Sequence, residues 1–346
     1  MAAGRKLPQV LSLAAILITG LFGTISPVLA QDVSLNYESL SSLEEPLAVE
    51  VGDVTLVLTG LLDAPVNFDL EGDQATDADF IGNVQFSART QLPNRWRIAL
   101  TYFGQYVSDR AFVSGPDNQY TDNIAFSVGS YWGTVLVGNI SGVVREQTRR
   151  LRGAGNAMLA FDNVFGGLED DGGGYFVRFG PWVFSGMMDE DENFDFGAMY
   201  QRPTGTRDYR LTARFTDSEH VSADGTQKFS TTAFSGVGEM IYGSTMWDIG
   251  AGYEYLDSDN LNVQRWYVST GMRTKTGILT FSIEGHYGQI ESGHEASAAL
   301  GVQYDLGRGL SANLGLNYAE SRVTRGDTRI TDTKGRQASF SLRYSF

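Results

Sequence analysis

Apolar and polar residues alternate along this chain, most cleanly in its final stretch. Phe340, Leu342, Tyr344 and Phe346 share one parity, while Ser339, Ser341, Arg343 and Ser345 share the other. Successive side chains of a strand point to opposite faces, so this segment has one apolar and one polar face. The same pattern recurs from Val54 onward. Val84, Phe86 and Ala88 alternate with Asn83, Gln85, Ser87 and Arg89, and Trp96, Ile98, Leu100 and Tyr102 lie opposite Arg97 and Thr101. Between these two runs, Pro93-Asn94-Arg95 supplies turn chemistry.

The first thirty residues stand apart. Arg5 and Lys6 precede an apolar run from Val10 to Ile25, and Val28-Leu29-Ala30 places small residues before a cleavage site. Residues 1–30 are expected to be a signal peptide that directs export, because the apolar run is short for a membrane anchor. Beyond it no segment offers the roughly 20 consecutive apolar residues of a membrane helix. A membrane barrel needs no such segment, since its apolar residues are dispersed over alternating strands.

The chain has 26 basic and 41 acidic residues; without Arg5 and Lys6 the balance is 24 against 41, a net charge of −17. That sign disfavours nucleic acid as a partner. With no cysteines, an exported chain must be stabilised by something other than disulfides. Forty-one glycines against eight prolines favour strands joined by tight turns. Residues 31–52, with Leu40, Leu43 and Leu47 among acids, read as an irregular N-terminal segment, and 53–346 as one undivided all-β unit.

Sixteen strands are expected, near 54–62, 79–92, 96–108, 122–131, 134–141, 174–180, 182–189, 194–201, 208–216, 229–240, 244–256, 262–273, 277–290, 294–304, 309–320 and 334–346. Their connections alternate in length. Short ones fall at 93–95, 132–133, 181, 202–207, 241–243, 274–276 and 305–308. Mostly longer, polar ones fall at 63–78, 109–121, 142–173, 190–193, 217–228, 257–261, 291–293 and 321–333. An even number of antiparallel strands with short turns at one end and longer loops at the other describes a transmembrane β-barrel. The five tryptophans, Trp96, Trp132, Trp182, Trp247 and Trp266, lie near strand ends, where interfacial aromatic girdles belong.

These features, with Gly133–Asn139 before one very long connection and the ending Leu342-Arg343-Tyr344-Ser345-Phe346, resemble the outer-membrane general-diffusion porins of Gram-negative bacteria. The resemblance spans nearly all of the mature chain. It implies a sixteen-stranded barrel that assembles as a homotrimer, sits multi-pass in the cell outer membrane among its lipids, and passes small hydrophilic solutes and ions. It implies a third external loop folded into the lumen to narrow the pore. It also implies that Phe346 is the signal read by the barrel-assembly machinery.

The longest connection, 142–173, is third in the long set. Arg145, Arg149, Arg150 and Arg152 gather at its start, and Glu169, Asp170 and Asp171 at its end. Opposed charges across a narrow, partly dehydrated passage set up a transverse field that sorts solutes by charge. The family usually places arginines on the wall and acids on the loop, whereas here the loop carries its own basic cluster. Wall arginines are present too: Arg89, Arg97, Arg178, Arg210, Arg214 and Arg265 lie on the polar parity of their strands and are expected to face the lumen.

Other chemistry finds less support. Asp69, Glu71, Asp73, Asp77 and Asp79 supply oxygen ligands suited to Ca²⁺, but their spacing matches no EF-hand, so no metal is expected. The histidines, His220, His286 and His294, belong to no recognisable nucleophile–base motif, although His286 shares a parity with Glu284. No cofactor-binding glycine loop opens a helix. The expectation is a passive channel rather than an enzyme. A substrate-selective channel is the alternative, followed by a barrel enzyme and a structural or adhesive barrel.

Overall fold

The computed structural model describes residues 47–70, 77–78, 80–107, 119–139, 143–148, 150, 167–168, 171–203, 207–221, 228–258, 261–325 and 328–346. The expected signal peptide lies outside these residues.

The alternating runs form strands, and the strands form one antiparallel sheet. In chain order they are β1 (Leu47–Val51), β2 (Val54–Asp69), β3 (Asp77–Ala78), β4 (Ile81–Gln91), β5 (Arg97–Val107), β6 (Gln119–Ser130) and β7 (Gly133–Asn139). After a short helix, α1 (Val143–Thr148), come β8 (Asp171–Phe179), β9 (Trp182–Asp189), β10 (Phe194–Pro203), β11 (Arg207–Val221) and β12 (Lys228–Tyr242). The last six are β13 (Thr245–Ser258), β14 (Leu261–Thr276), β15 (Leu279–Ile290), β16 (Gly293–Gly307), β17 (Leu310–Arg325) and β18 (Thr328–Ser345). Of these eighteen, β1 and β3 are short additions to β2, which leaves sixteen strands in the wall.

The sheet closes on itself. β18 pairs with β2 from Gln337↔Asp69 to Ser345↔Leu61. Past that ladder, Gly60 N–H donates to the Phe346 carbonyl at 2.8 Å and Phe346 N–H to the Gly60 carbonyl at 3.0 Å. Closure satisfies backbone groups that lipid could not, so the wall needs no helix.

Each wall strand has two unlike faces. On β18, Phe340, Leu342 and Tyr344 are exposed at 39–48%, whereas Ser339 and Ser341 are buried. Ile249 and Leu314 on the outside contrast with Asp248 and Asn313 on the inside. Large apolar side chains outside and polar ones inside is the inversion expected when the outer solvent is hydrocarbon. Trp96, Trp132, Trp182 and Trp247 cluster near the short-turn end; Trp132 stacks on Tyr175 with ring centroids 6.2 Å apart. Trp266 lies at the other end, 6.0 Å from Tyr287.

Several expected boundaries move. β2 runs on to Asp69 through a segment read as loop, because its outward residues Ala64, Val66 and Phe68 continue the alternation past Pro65. The described residues of the connections expected at 217–228, 257–261 and 321–333 are ladder. β11 reaches Val221, β13 reaches Ser258, and β17 pairs with β18 as far as Arg325↔Thr328. Above the lipid a strand needs no apolar face, so these polar stretches extend hairpins instead of forming loops. β8 and β9 are separate strands joined at Gly180 and Pro181.

The segment 31–52 is not wholly irregular either. Because the closing strands are staggered, β18 ends level with Gly60, and the start of β2 lacks a neighbour on that side. The chain turns at Gly52 (φ 63°) and lays β1 along that edge, from Leu47↔Leu58 to Val51↔Val54. A side chain at Gly52 would be strained in this left-handed turn.

Candidate functional site

Among the described residues the inner wall is mostly polar but carries an apolar cluster. Phe103, Leu136, Phe176 and Met187, on the inward faces of β5, β7, β8 and β9, are buried together with Ala125. What covers them is the connection between β7 and β8: Val143 and Val144 of α1 join this cluster, as does Leu168. The wall is shaped for the helix. A Cβ on Gly197 of β10 would lie 2.8 Å from Val144 Cγ1 and 3.1 Å from Thr148 Cγ2, so glycine permits the close approach. Carbonyls at the end of α1 have no partner within the helix and take wall donors instead. Arg210 donates to the Gln147 carbonyl at 2.6 Å, and the Thr212 hydroxyl to the Thr148 carbonyl at 2.6 Å.

Two further anchors hold the same connection. Arg150 reaches Asp248 on β13 at 2.6 Å and lies 3.9 Å from Glu284 on β15, with all three side chains almost fully buried. Gly271, between those strands on β14, makes room: a Cβ there would sit 2.8 Å from both the Arg150 guanidinium and the Asp248 carboxylate. Near the far end, Gly167 N–H donates to the Ser218 hydroxyl of β11 at 3.1 Å. A Cβ on Gly167 would lie 2.9 Å from the Arg214 guanidinium.

The wall from β10 to β16 carries a chain of ion pairs. Arg214 grips Asp195 with Nε 2.9 Å from Oδ1, and Arg210 meets Glu239 at 2.5 Å. Arg273 interacts electrostatically with Glu239, Glu284 and Asp248. Arg265 lies between Glu254 at 2.9 Å and Glu295 at 2.8 Å, and Glu295 also takes His286 Nε2 at 2.8 Å. Tyr267 packs against this group, its ring 5.3 Å from that of His286 and 5.0 Å from the Arg265 guanidinium. A buried charge stripped of its partner is strongly destabilising, so these pairs fix one another's positions.

The wall arginines read from sequence therefore divide. Arg210, Arg214 and Arg265 face inward and are tied to acids. Arg89, Arg97 and Arg178 occupy inward positions on β4, β5 and β8, and all three are half-buried. Of the loop residues, Arg150 is anchored as described. Arg145 lies in α1, but its side chain is outside the described residues, as are Arg149, Arg152, Glu169 and Asp170. Asp171 is corrected: it opens β8 opposite Asn139, exposed, on the outward parity of Tyr175 and Val177. A position at the strand edge does not bring it to Arg150.

The reading from sequence missed Arg273 and the acids Asp195, Glu239, Asp248, Glu254 and Glu295. Each lies on the inward parity of its strand, and that signal was available. Which of them pair depends on register, which the alternation does not report. Among the described residues no group of three or more His, Cys, Asp or Glu side chains is arranged to hold a metal ion. Asp69 lies at the end of β2, and Asp77 opposite Asn67, while Glu71, Asp73 and Asp79 lie outside the described residues. The hydrogen bonds and ion pairs around His286 and His294 connect them to carboxylates, Glu295 and Glu320.

No protein-family model and no curated protein matches this chain. Solved structures do. OmpT, an outer membrane protein of Vibrio cholerae in its trimer form, superposes with a TM-score of 0.62 at 13% identity, over 85% of this chain and 99% of that one. The anion-selective porin of Comamonas acidovorans gives 0.62 at 13% identity, covering 85% of this chain and 100% of its own. Salmonella typhi OmpF, in complex with daunomycin, gives 0.63 at 12% identity over 87% and 100%. At these identities the likeness is one of fold: the chain is a closed, sixteen-stranded antiparallel barrel of the porin-like kind.

Proposed function

We propose that the protein is an outer-membrane porin, a water-filled channel for passive diffusion of small hydrophilic solutes and ions. The observation that carries this reading is that the described parts of the β7–β8 connection, α1, Arg150 and Leu168, pack on inward-facing residues of the wall. A segment inside a closed barrel reduces the open cross-section. The charges beside it act on whatever passes, since a low-dielectric wall focuses their field. Size exclusion comes from the connection, with Arg145, Arg149, Arg152, Glu169 and Asp170 as further candidates along it. Arg89, Arg97 and Arg178 add positive charge on the inner wall near the short-turn end. No catalytic step or cofactor is involved.

Export, insertion by the barrel-assembly machinery through Phe346, and assembly as a homotrimer complete the proposal. The trimer form of the Vibrio cholerae protein and the shared fold support the last of these. The test is conductance in planar bilayers, with reversal potentials measured in a salt gradient. Stable open-channel steps support a porin, and a barrel that inserts but never conducts rules it out. Block by low concentrations of one solute would instead identify a substrate-selective channel.

A further inference from the structure

On the outward face of the barrel, above the apolar band at the loop end, charge is segregated. Asp122 on β6, Glu219 on β11, Asp257 on β13 and Glu291 after β15 are exposed there; among the described residues outside β16–β18, Lys228 on β12 is the basic exception. On β16–β18 the sign reverses. His294 stands opposite Arg322, Lys334 opposite Glu320, and Arg336 opposite Tyr318, all on the outward parity. The cations begin where the lipid band stops. On β17 the outward residues run Leu310, Ala312, Leu314, Leu316 and Tyr318 before reaching Glu320 and Arg322. The Arg336 guanidinium lies 6.0 Å from the Tyr318 ring centroid, level with the top of that band.

His294, Glu320, Arg322 and Lys334 line a cavity of about 310 Å³ on this face. Glu320, the carboxylate among its described lining residues, is engaged by His294 at 3.2 Å and by the Tyr318 hydroxyl. Asp332 stands opposite Arg322 in register.

We propose that this patch binds the phosphate of an anionic lipid headgroup in the leaflet around the loop end of the barrel. The inference rests on the membrane setting proposed above. Its height favours a headgroup: long cationic side chains just beyond an aromatic girdle extend to the polar boundary, where lipid phosphates lie. Its direction favours lipid over a permeating solute, since the residues point away from the lumen. Among the described residues the cations gather on three adjacent strands while the exposed outward charges of β6, β11 and β13 are acidic, which makes it a local site and not a general attraction.

The test is native mass spectrometry of the full-length protein in detergent, titrated with equal amounts of phosphatidic acid and phosphatidylcholine. Wild type should retain phosphatidic acid preferentially, and each of Arg322→Gln and Lys334→Gln should reduce that preference about five-fold. Glu320→Gln should strengthen it, and Lys228→Gln should leave it unchanged. No preference in wild type, or an equal loss in Lys228→Gln, overturns the proposal. Displacement of the lipid by millimolar inorganic phosphate would assign a free-anion site instead. A variant that dissociates an oligomer while keeping its lipid preference would assign an interface between copies, again overturning it. Bilayer conductance unchanged across these variants separates failure of the lipid site from failure of the channel reading.

Discussion

Arg150 and Asp248, ninety-eight residues apart in sequence, meet at 2.6 Å with both side chains almost fully buried. The pair ties the connection after β7 to a strand on another part of the wall. Replacing Asp248 by Ala leaves a buried guanidinium beside Glu284 at 3.9 Å. Removing one partner of a buried pair costs about 3–5 kcal/mol. Asp248→Ala is expected to lower the temperature at which the barrel unfolds in gel-shift assays. Single-channel recordings should show a larger or noisier conductance as the connection loosens. Unchanged conductance would mean the tether does not set the aperture.

Glycine geometry gives an independent route to the same state. Gly271→Ala places a Cβ 2.8 Å from Arg150 Nη1 and Asp248 Oδ2, tighter than packed carbon tolerates. The expected phenotype matches that of Arg150→Ala in single-channel recordings, and the double variant should add little to either single one. Additive effects would show that Gly271 acts on something else.

The seam makes a different prediction. A Cβ at Gly60 would lie 2.5 Å from the Phe346 ring, so Gly60→Val forces the last aromatic away from the first wall strand. Heat-modifiable folding should be impaired in Gly60→Val. Phe346→Ala should retain the Gly60–Phe346 backbone bonds and test the assembly signal separately, by measuring insertion in cells and refolding of purified protein into detergent. Equal loss in both assays would mean that Phe346 acts through packing alone.

Neighbouring residues of one strand should respond oppositely to charge. Leu314 is 58% exposed on the outer face, and Asn313, beside it, points inward. Leu314→Arg should cost about 2–4 kcal/mol if it lies near the bilayer midplane. Asn313→Arg should change ion selectivity instead. Unfolding titrations in lipid and reversal potentials distinguish the two.

Much of this architecture was legible in the sequence because a period of two reports face, and face is decided residue by residue. Phe340 and Ser341 could be assigned from their neighbours alone. Asp63 could not: it read as the first residue of a connection, because its partner Arg343, 2.7 Å away, is 280 residues later. Polar stretches such as 321–333 read as loops, although outside lipid an extended hairpin can be polar on both faces. The apolar inner patch of Phe103, Leu136 and Phe176 interrupts the alternation, as in Val135-Leu136-Val137, but an interruption does not say that a helix would cover it. Arg150 stood out as part of a basic cluster, but its acceptor depended on the register of β13, which only the closed structure supplies.

The alternation also limits how such a chain can change in length. Adding one residue inside a wall strand reverses every side chain from that point to the next turn, sending Ser and Asn to lipid and Leu to water. Only a bulge can absorb the slip. Additions beyond the last rung of a hairpin at the loop end leave both faces in place. Insertions and deletions in this lineage should therefore accumulate at one rim of the cylinder, while the strands between the aromatic girdles keep their length.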